Sequence, residues 1–121
     1  MQFEDFYWHD AIIKNIIIDR NCPGVKDEIK IKIKWPEDNG YVNFIFEEVY
    51  WSRFELNFGI FVEENILQAH VLQDADEDLI HFYLLWKNSM NGIELNAYEI
   101  LLNSTGGRIK IIAKGFRIEK L

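Results

Sequence analysis

The chain has 121 residues, 49% of them hydrophobic and 15% aromatic, enough for one domain over residues 1–121 that buries about two thirds of its unfolded surface without a disulfide or metal staple. With 13 Lys and Arg against 20 Asp and Glu the formal charge is −7, which argues against duplex nucleic acid, whose affinity comes from neutralised phosphates, and favours a basic protein partner. No apolar run is long enough to cross a bilayer as a helix.

The opening "MQFEDFYWHD" is acidic and aromatic, without the basic start and apolar run of a secretory signal. Its rings Phe6, Tyr7 and Trp8 read as a plug folded back over one end of the core, with Asp10 accepting backbone hydrogen bonds at the start of the first strand. His9 and Asp10 are the alternative, as site residues. The first strand is "AIIKNIIIDR". Cys22, followed by Pro23, cannot form an internal disulfide, which fits a cytoplasmic protein.

Period-two alternation is clearest in "IKIKIKW", where Ile29, Ile31, Ile33 and Trp35 share one face and Lys30, Lys32 and Lys34 the other. "PEDNG" then turns the chain, with positive φ expected at Asn39 and Gly40. In the returning strand "YVNFIFEEVYW", Val42, Phe44 and Phe46 point inward. Glu47 and Glu48 break the phase, and Val49 and Trp51 resume it, which predicts a bulge. "FELNFGIFV" reads as a further strand with Phe54, Leu56, Phe58, Ile60 and Val62 on one face.

Two segments, 63–73 and 94–103, hold good helix formers, but the turn chemistry beside them favours strands. "NSMNG" separates "LIHFYLLWK" from "IELNAYEILL", and "NSTGG" separates that from "RIKIIAKGFRI", giving a three-strand meander with a phase slip at Gly115. About eight strands result. The fold expected is all-β or β-rich α+β, an antiparallel meander forming a sandwich or a strongly curled sheet.

Hairpin register then suggests where chemistry could lie. If residues 74–78 and "NSMNG" are turns between strands, His70 faces His81, His81 faces Glu99, and Glu99 lies beside Ile111, with Tyr83 nearby. Titratable groups on an apolar face must be paired, so this row is a candidate ligand or acid/base site in the core. A one-residue slip would move a whole strand to the other face. "DADED" lacks the glycine and terminal glutamate of a calcium loop, and no close histidine spacing suggests a metal site. Ser52, Ser89 and Ser104 sit in no nucleophile motif. The reading is therefore non-enzymatic, without cofactor or metal.

The aromatic-His-Asp opening before an Ile-rich strand, together with the closing "NSTGGRIKIIAKGFRIEK", resembles small single-domain bacterial proteins, some of them immunity proteins of polymorphic toxin systems. That resemblance implies a non-enzymatic domain that neutralises a toxin. Exposed Tyr50, Trp51 and Trp86 are candidate hot spots, and Glu47, Glu48, Asp74, Asp76, Glu77 and Asp78 the acidic match to a basic toxin. The rival readings are a small-molecule-binding or hydrolytic β-barrel using the histidine and glutamate row, and a homo-oligomer joined through sheet edges.

Overall fold

A computed structural model describes residues 2–72, 76–86 and 92–121. Asp74, Ser89 and all but the last residue of the "NSMNG" turn lie outside them. Six strands appear among the described residues: β1 Ile12–Ile18, β2 Ile29–Lys34, β3 Tyr41–Glu55, β4 Glu64–Val71, β5 Asn96–Leu102 and β6 Arg108–Lys120. One helix, α1 Glu77–Trp86, lies between β4 and β5. The sheet is antiparallel and closes into a barrel in the order β1-β2-β3-β6-β5-β4.

The all-β expectation therefore holds, with six strands instead of eight. Segments 63–73 and 94–103 supply strands β4 and β5, as their flanking turns suggested. Two expected strands are absent. Of "LIHFYLLWK", residues 79–86 form the body of α1 and Lys87 lies outside the described residues, and "FELNFGIFV" gives only Phe54 and Glu55 to β3 before the chain leaves the sheet. Leu56 packs on the core, but Phe58, Ile60, Phe61 and Val62 are exposed. The meander is β4-β5-β6, with α1 inserted in its first connection. The turn after β2 places positive φ at Glu37 and Gly40, not at Asn39.

The interior follows from the alternation. Ile29, Ile31 and Ile33 of β2, Val42, Phe44 and Phe46 of β3, Tyr98 and Ile100 of β5, and Ile109, Ile111 and Ala113 of β6 fill the barrel with buried side chains, as barrels of this size require. Both long strands change phase at the same level. Phe46 lies opposite Phe116 and Val49 opposite Ala113, all four on the inner side, with Glu47 facing Gly115 between them. Glu48 there adopts a left-handed backbone, φ 50. A coordinated slip bends the two ribbons around the core without exposing either inner face.

A second slip sits one step further along, where Val49 pairs with Ala113 but Trp51 with Ile112. Tyr50 is the extra residue. Val49 thus stays inside while Trp51 joins Ile112 on the outer face beneath α1, not on Val49's face as the alternation alone suggested.

The barrel is stoppered by its N-terminal segment. A 3-10 turn over Phe3–Asp5 inserts Phe3, 2% exposed, among Phe44, Phe46, Tyr98 and Phe116, with ring centroids 4.8 to 6.1 Å away. Trp8 is buried beside it and donates its indole N–H to the Phe3 carbonyl at 2.6 Å. Phe6 stacks on Trp35. The plug is therefore Phe3, Phe6 and Trp8, whereas Tyr7 points outward at 63% exposure. Among the described residues, the Asp10 side chain accepts no hydrogen bond from a strand. Asp10 donates its own N–H to Ile66 from a left-handed backbone, φ 68, and its carboxylate lies 3.6 Å from His9 Nε2.

The β5-β6 hairpin carries one glycine whose hydrogen is essential. A Cβ at Gly107 would run into the Glu55 carbonyl oxygen on the neighbouring backbone, which cannot swing away as a side chain can. Gly107→Ala is expected to destabilise by about 2 kcal/mol or more, the scale of a forced backbone shift. Gly115→Ala, where a Cβ meets open space, should stay within about 1 kcal/mol. Urea denaturation of the two variants side by side checks this.

Candidate functional site

The helix that replaces an expected strand creates the main concave surface. Asp76 caps it, accepting a hydrogen bond from the Leu79 N–H at 3.1 Å, and Glu77 and Asp78 place negative charge at the positive end of the helix dipole. Leu79 is buried against Leu95, Ala97 and Ile112, with Phe82 and Tyr83 packed at the margin. The Tyr83 hydroxyl accepts from the Leu95 N–H at 2.7 Å and donates to the Ile93 carbonyl at 3.4 Å. Tyr83 thus ties α1 to the chain entering β5.

Among the described residues, one face of α1 is left open. Asp78, His81, Phe82, Leu85 and Trp86 fall at helical spacing and line a groove against Tyr50, Trp51 and Arg53 of β3, with a volume of about 780 Å³. Tyr50 meets Phe82 edge to face at 5.9 Å, and the Arg53 guanidinium lies 5.1 Å from the centre of the Trp51 ring. Trp86 and Leu85 are more than half exposed. Three of the four aromatic side chains that meet here are those expected as hot spots.

A buried lysine holds α1 to the barrel. Lys110 of β6 is 8% exposed and its ammonium donates to Asp76 at 2.8 Å and to Asp78 at 2.6 Å. Burial disfavours its charge, but the two carboxylates outweigh burial and hold its pKa above the ordinary lysine value. The same hydrogen bond from Lys110 holds Asp78 below the ordinary carboxylate range, with Arg53 3.6 Å away adding to it. Asp76 and Asp78, expected to face a partner, are thus committed within the protein. Glu47 shares Arg117 with Glu28, at 2.7 and 2.8 Å. Glu48 and Glu77 are exposed, with Lys114 3.6 Å from Glu48.

The proposed row of His70, His81, Glu99 and Ile111 does not form. His70 and Glu99 are directly opposite on β4 and β5, and His70 Nε2 lies 3.3 Å from Glu99 Oε1. The pair, however, is on the outer surface. Glu99 faces Lys110, Ile111 faces Tyr98, and His81 stands exposed on α1. The actual ladder runs His70, Glu99, Lys110, Arg53 across four strands. The row requires a strand over residues 79–87, and residues 79–86 are helical.

Sequence reasoning missed Arg53, Phe82, Leu85 and Lys110. A signal for Phe82 and Leu85 existed: an aspartate three residues before an apolar run, followed by two more acids, marks a helix start. Among the described residues, no three His, Cys, Asp or Glu side chains are placed to hold a metal ion, and no helix is long and apolar enough to cross a membrane. Comparison of the chain with models of known protein families and with curated proteins finds no match.

Proposed function

We propose that this chain is a non-enzymatic protein-binding domain whose α1/β3 groove receives an apolar anchor of a basic partner, and that the partner is a toxin which it neutralises. The observation that carries the reading is the cluster of Tyr50, Trp51, Phe82 and Trp86 around one open groove, since aromatic side chains in a concave patch supply most of the energy at protein interfaces. On the other side of Tyr50 and Trp51 a second concavity holds Asp19, Asp27 and Glu28 against Arg20. Glu28 is also held by Arg117, which leaves Asp19 and Asp27 beside Arg20 to suit a basic residue next to the anchor, and the −7 charge would speed its approach. The neutralising role comes from the likeness of the chain's opening and close to immunity proteins.

A photo-crosslinking residue at Leu85 tests this by capturing whatever enters the groove. The captured protein is expected to be basic and to arrest growth when expressed alone, with growth restored by co-expression of this chain. Trp51→Ala combined with Trp86→Ala should weaken the complex by about 100-fold or more, the scale of two hot-spot truncations. An acidic or harmless captured protein, or unchanged affinity in the double variant, would overturn the proposal.

The volume and apolar lining of the groove also favour a second reading, a small amphiphilic ligand. A thermal shift with such a ligand that disappears on Trp51→Ala would support it.

A further inference from the structure

We propose that the outer edge of β1 is a self-association surface, on which a second copy of this chain pairs its own β1 antiparallel about a two-fold axis at Ile17. β2 covers one edge of β1 along its whole length, but β4 meets the other edge only at Ile12 and Ile13. From Lys14 to Ile18 no described residue pairs with that outer edge. Alternate residues there direct N–H and C=O groups outward, the template that a further strand recognises.

The chain that could have covered the edge turns away from it. Glu64 lies opposite Ile13, so residues 63 to 59 would continue the ladder if pairing went on. Instead the 56–63 connection leaves the sheet, and Phe58, Ile60, Phe61 and Val62 are exposed, Phe61 at 97%. Ile17 and Ile18 are themselves about half exposed. Lys14 sits at the bulge where β1 begins its unpaired run, the kind of device that guards an edge. Beyond it the run Asn15-Ile16-Ile17-Ile18 has no charge and no proline.

The sequence of the edge fits its own reverse. Two strands related by a two-fold axis perpendicular to the sheet must place residues of equal parity opposite each other, so that both point to the same face. A centre at Ile16 would set Asn15 against Ile17 and Lys14 against Ile18. A centre at Ile17 sets Ile17 against Ile17 on the outer face and Ile16 against Ile18 on the inner face. It also sets the Asn15 amide against the Asp19 carboxylate. In the same arrangement Lys14 faces Arg20, and each of these charges has its own carboxylate, Glu63 at 3.0 Å and Asp27 at 3.6 Å, so the isoleucine pairs and not the charges make the edge fit its own reverse. The second copy is the occupant these features favour over an unrelated extended segment.

Sedimentation velocity of the full chain across a concentration series is expected to show a dimer. Ile17→Lys, which places two like charges directly opposite, should convert it to monomer while the circular dichroism spectrum stays unchanged. In a Cys22→Ser background, Ile17→Cys should give a covalent dimer under mild oxidation much faster than Tyr7→Cys, an exposed position far from the axis. A monomer at every concentration would overturn the proposal. So would a dimer indifferent to Ile17→Lys, or cross-linking at position 17 no faster than at position 7; the cross-linking arm decides the matter even where the lysine variant fails to fold.

Discussion

Phe3→Ala is expected to destabilise the protein by about 3 kcal/mol, the lower part of the range for emptying a buried phenylalanine site. The effect is large because Phe3 touches rings from three strands. Its centroid lies 4.8 Å from Tyr98 of β5, 5.5 Å from Phe44 of β3 and 5.7 Å from Phe116 of β6, and its carbonyl receives the Trp8 indole N–H. Removing the ring leaves a void that only the flanking terminal segment can partly fill, which sets the cost below that of a ring in mid-strand. Tyr7→Ala is the internal comparison, since Tyr7 lies four residues along the same segment but faces solvent. It should change stability by less than about 0.5 kcal/mol. Thermal or urea unfolding of both variants measures the contrast, and equal effects would show that the segment does not plug the barrel.

Much of the barrel was legible because inside and outside alternate strictly along most strands. "IKIKIKW" maps onto β2 with Ile29, Ile31 and Ile33 fully buried, and the Glu47-Glu48 and Gly115 breaks fall opposite each other in one bend. The sequence pattern could not say that the sheet closes. Closure depends on two residue pairs between β1 and β4, Ile12 with Asn65 and Ile13 with Glu64, and pairing between distant segments leaves no periodic trace. The exposed 56–63 connection misled for a related reason. Phe58, Ile60 and Val62 carry a strand's alternation, yet among the described residues no strand lies beside them on which to use it.

The site was legible in its residues and not in its geometry. Tyr50, Trp51 and Trp86 stand out as aromatics expected to be exposed, but what joins them is the extra residue at Tyr50, which turns Trp51 outward, and the helix capped by Asp76. An apolar run such as "LIHFYLLW" satisfies strand and helix equally. The deciding evidence lay outside the run, in the Asp76 cap and the acidic first turn. Two of the acids expected to meet a partner instead hold the helix down through Lys110, whose place between Ile109 and Ile111 marks it in the sequence only as an outward strand position.

Lys110→Met is expected to destabilise the protein by about 2 to 3 kcal/mol. Breaking a buried ion pair costs about 3–5 kcal/mol, and the figure is reduced here because the Asp78 side chain is 29% exposed and Arg53 remains beside it. The sign of its pH dependence follows from the two shifts. Asp78 is held below its ordinary value, so its contribution is present above the unfolded carboxylate pKa of about 4 and fades as pH falls through the folded value. Lys110 is held above its ordinary value, so its contribution is complete below about pH 10 and fades as pH rises through the folded value. The difference between wild type and Lys110→Met should therefore be level from about pH 5 to 9 and shrink on both sides. Urea midpoints at pH 3, 7 and 10.5 test this directly. Because Lys110 fastens the start of α1, the variant should also loosen the groove, seen as a red shift of tryptophan emission from Trp51 and Trp86 before global unfolding. A stability difference with no such shift would mean that Lys110 supports the barrel without positioning the recognition surface.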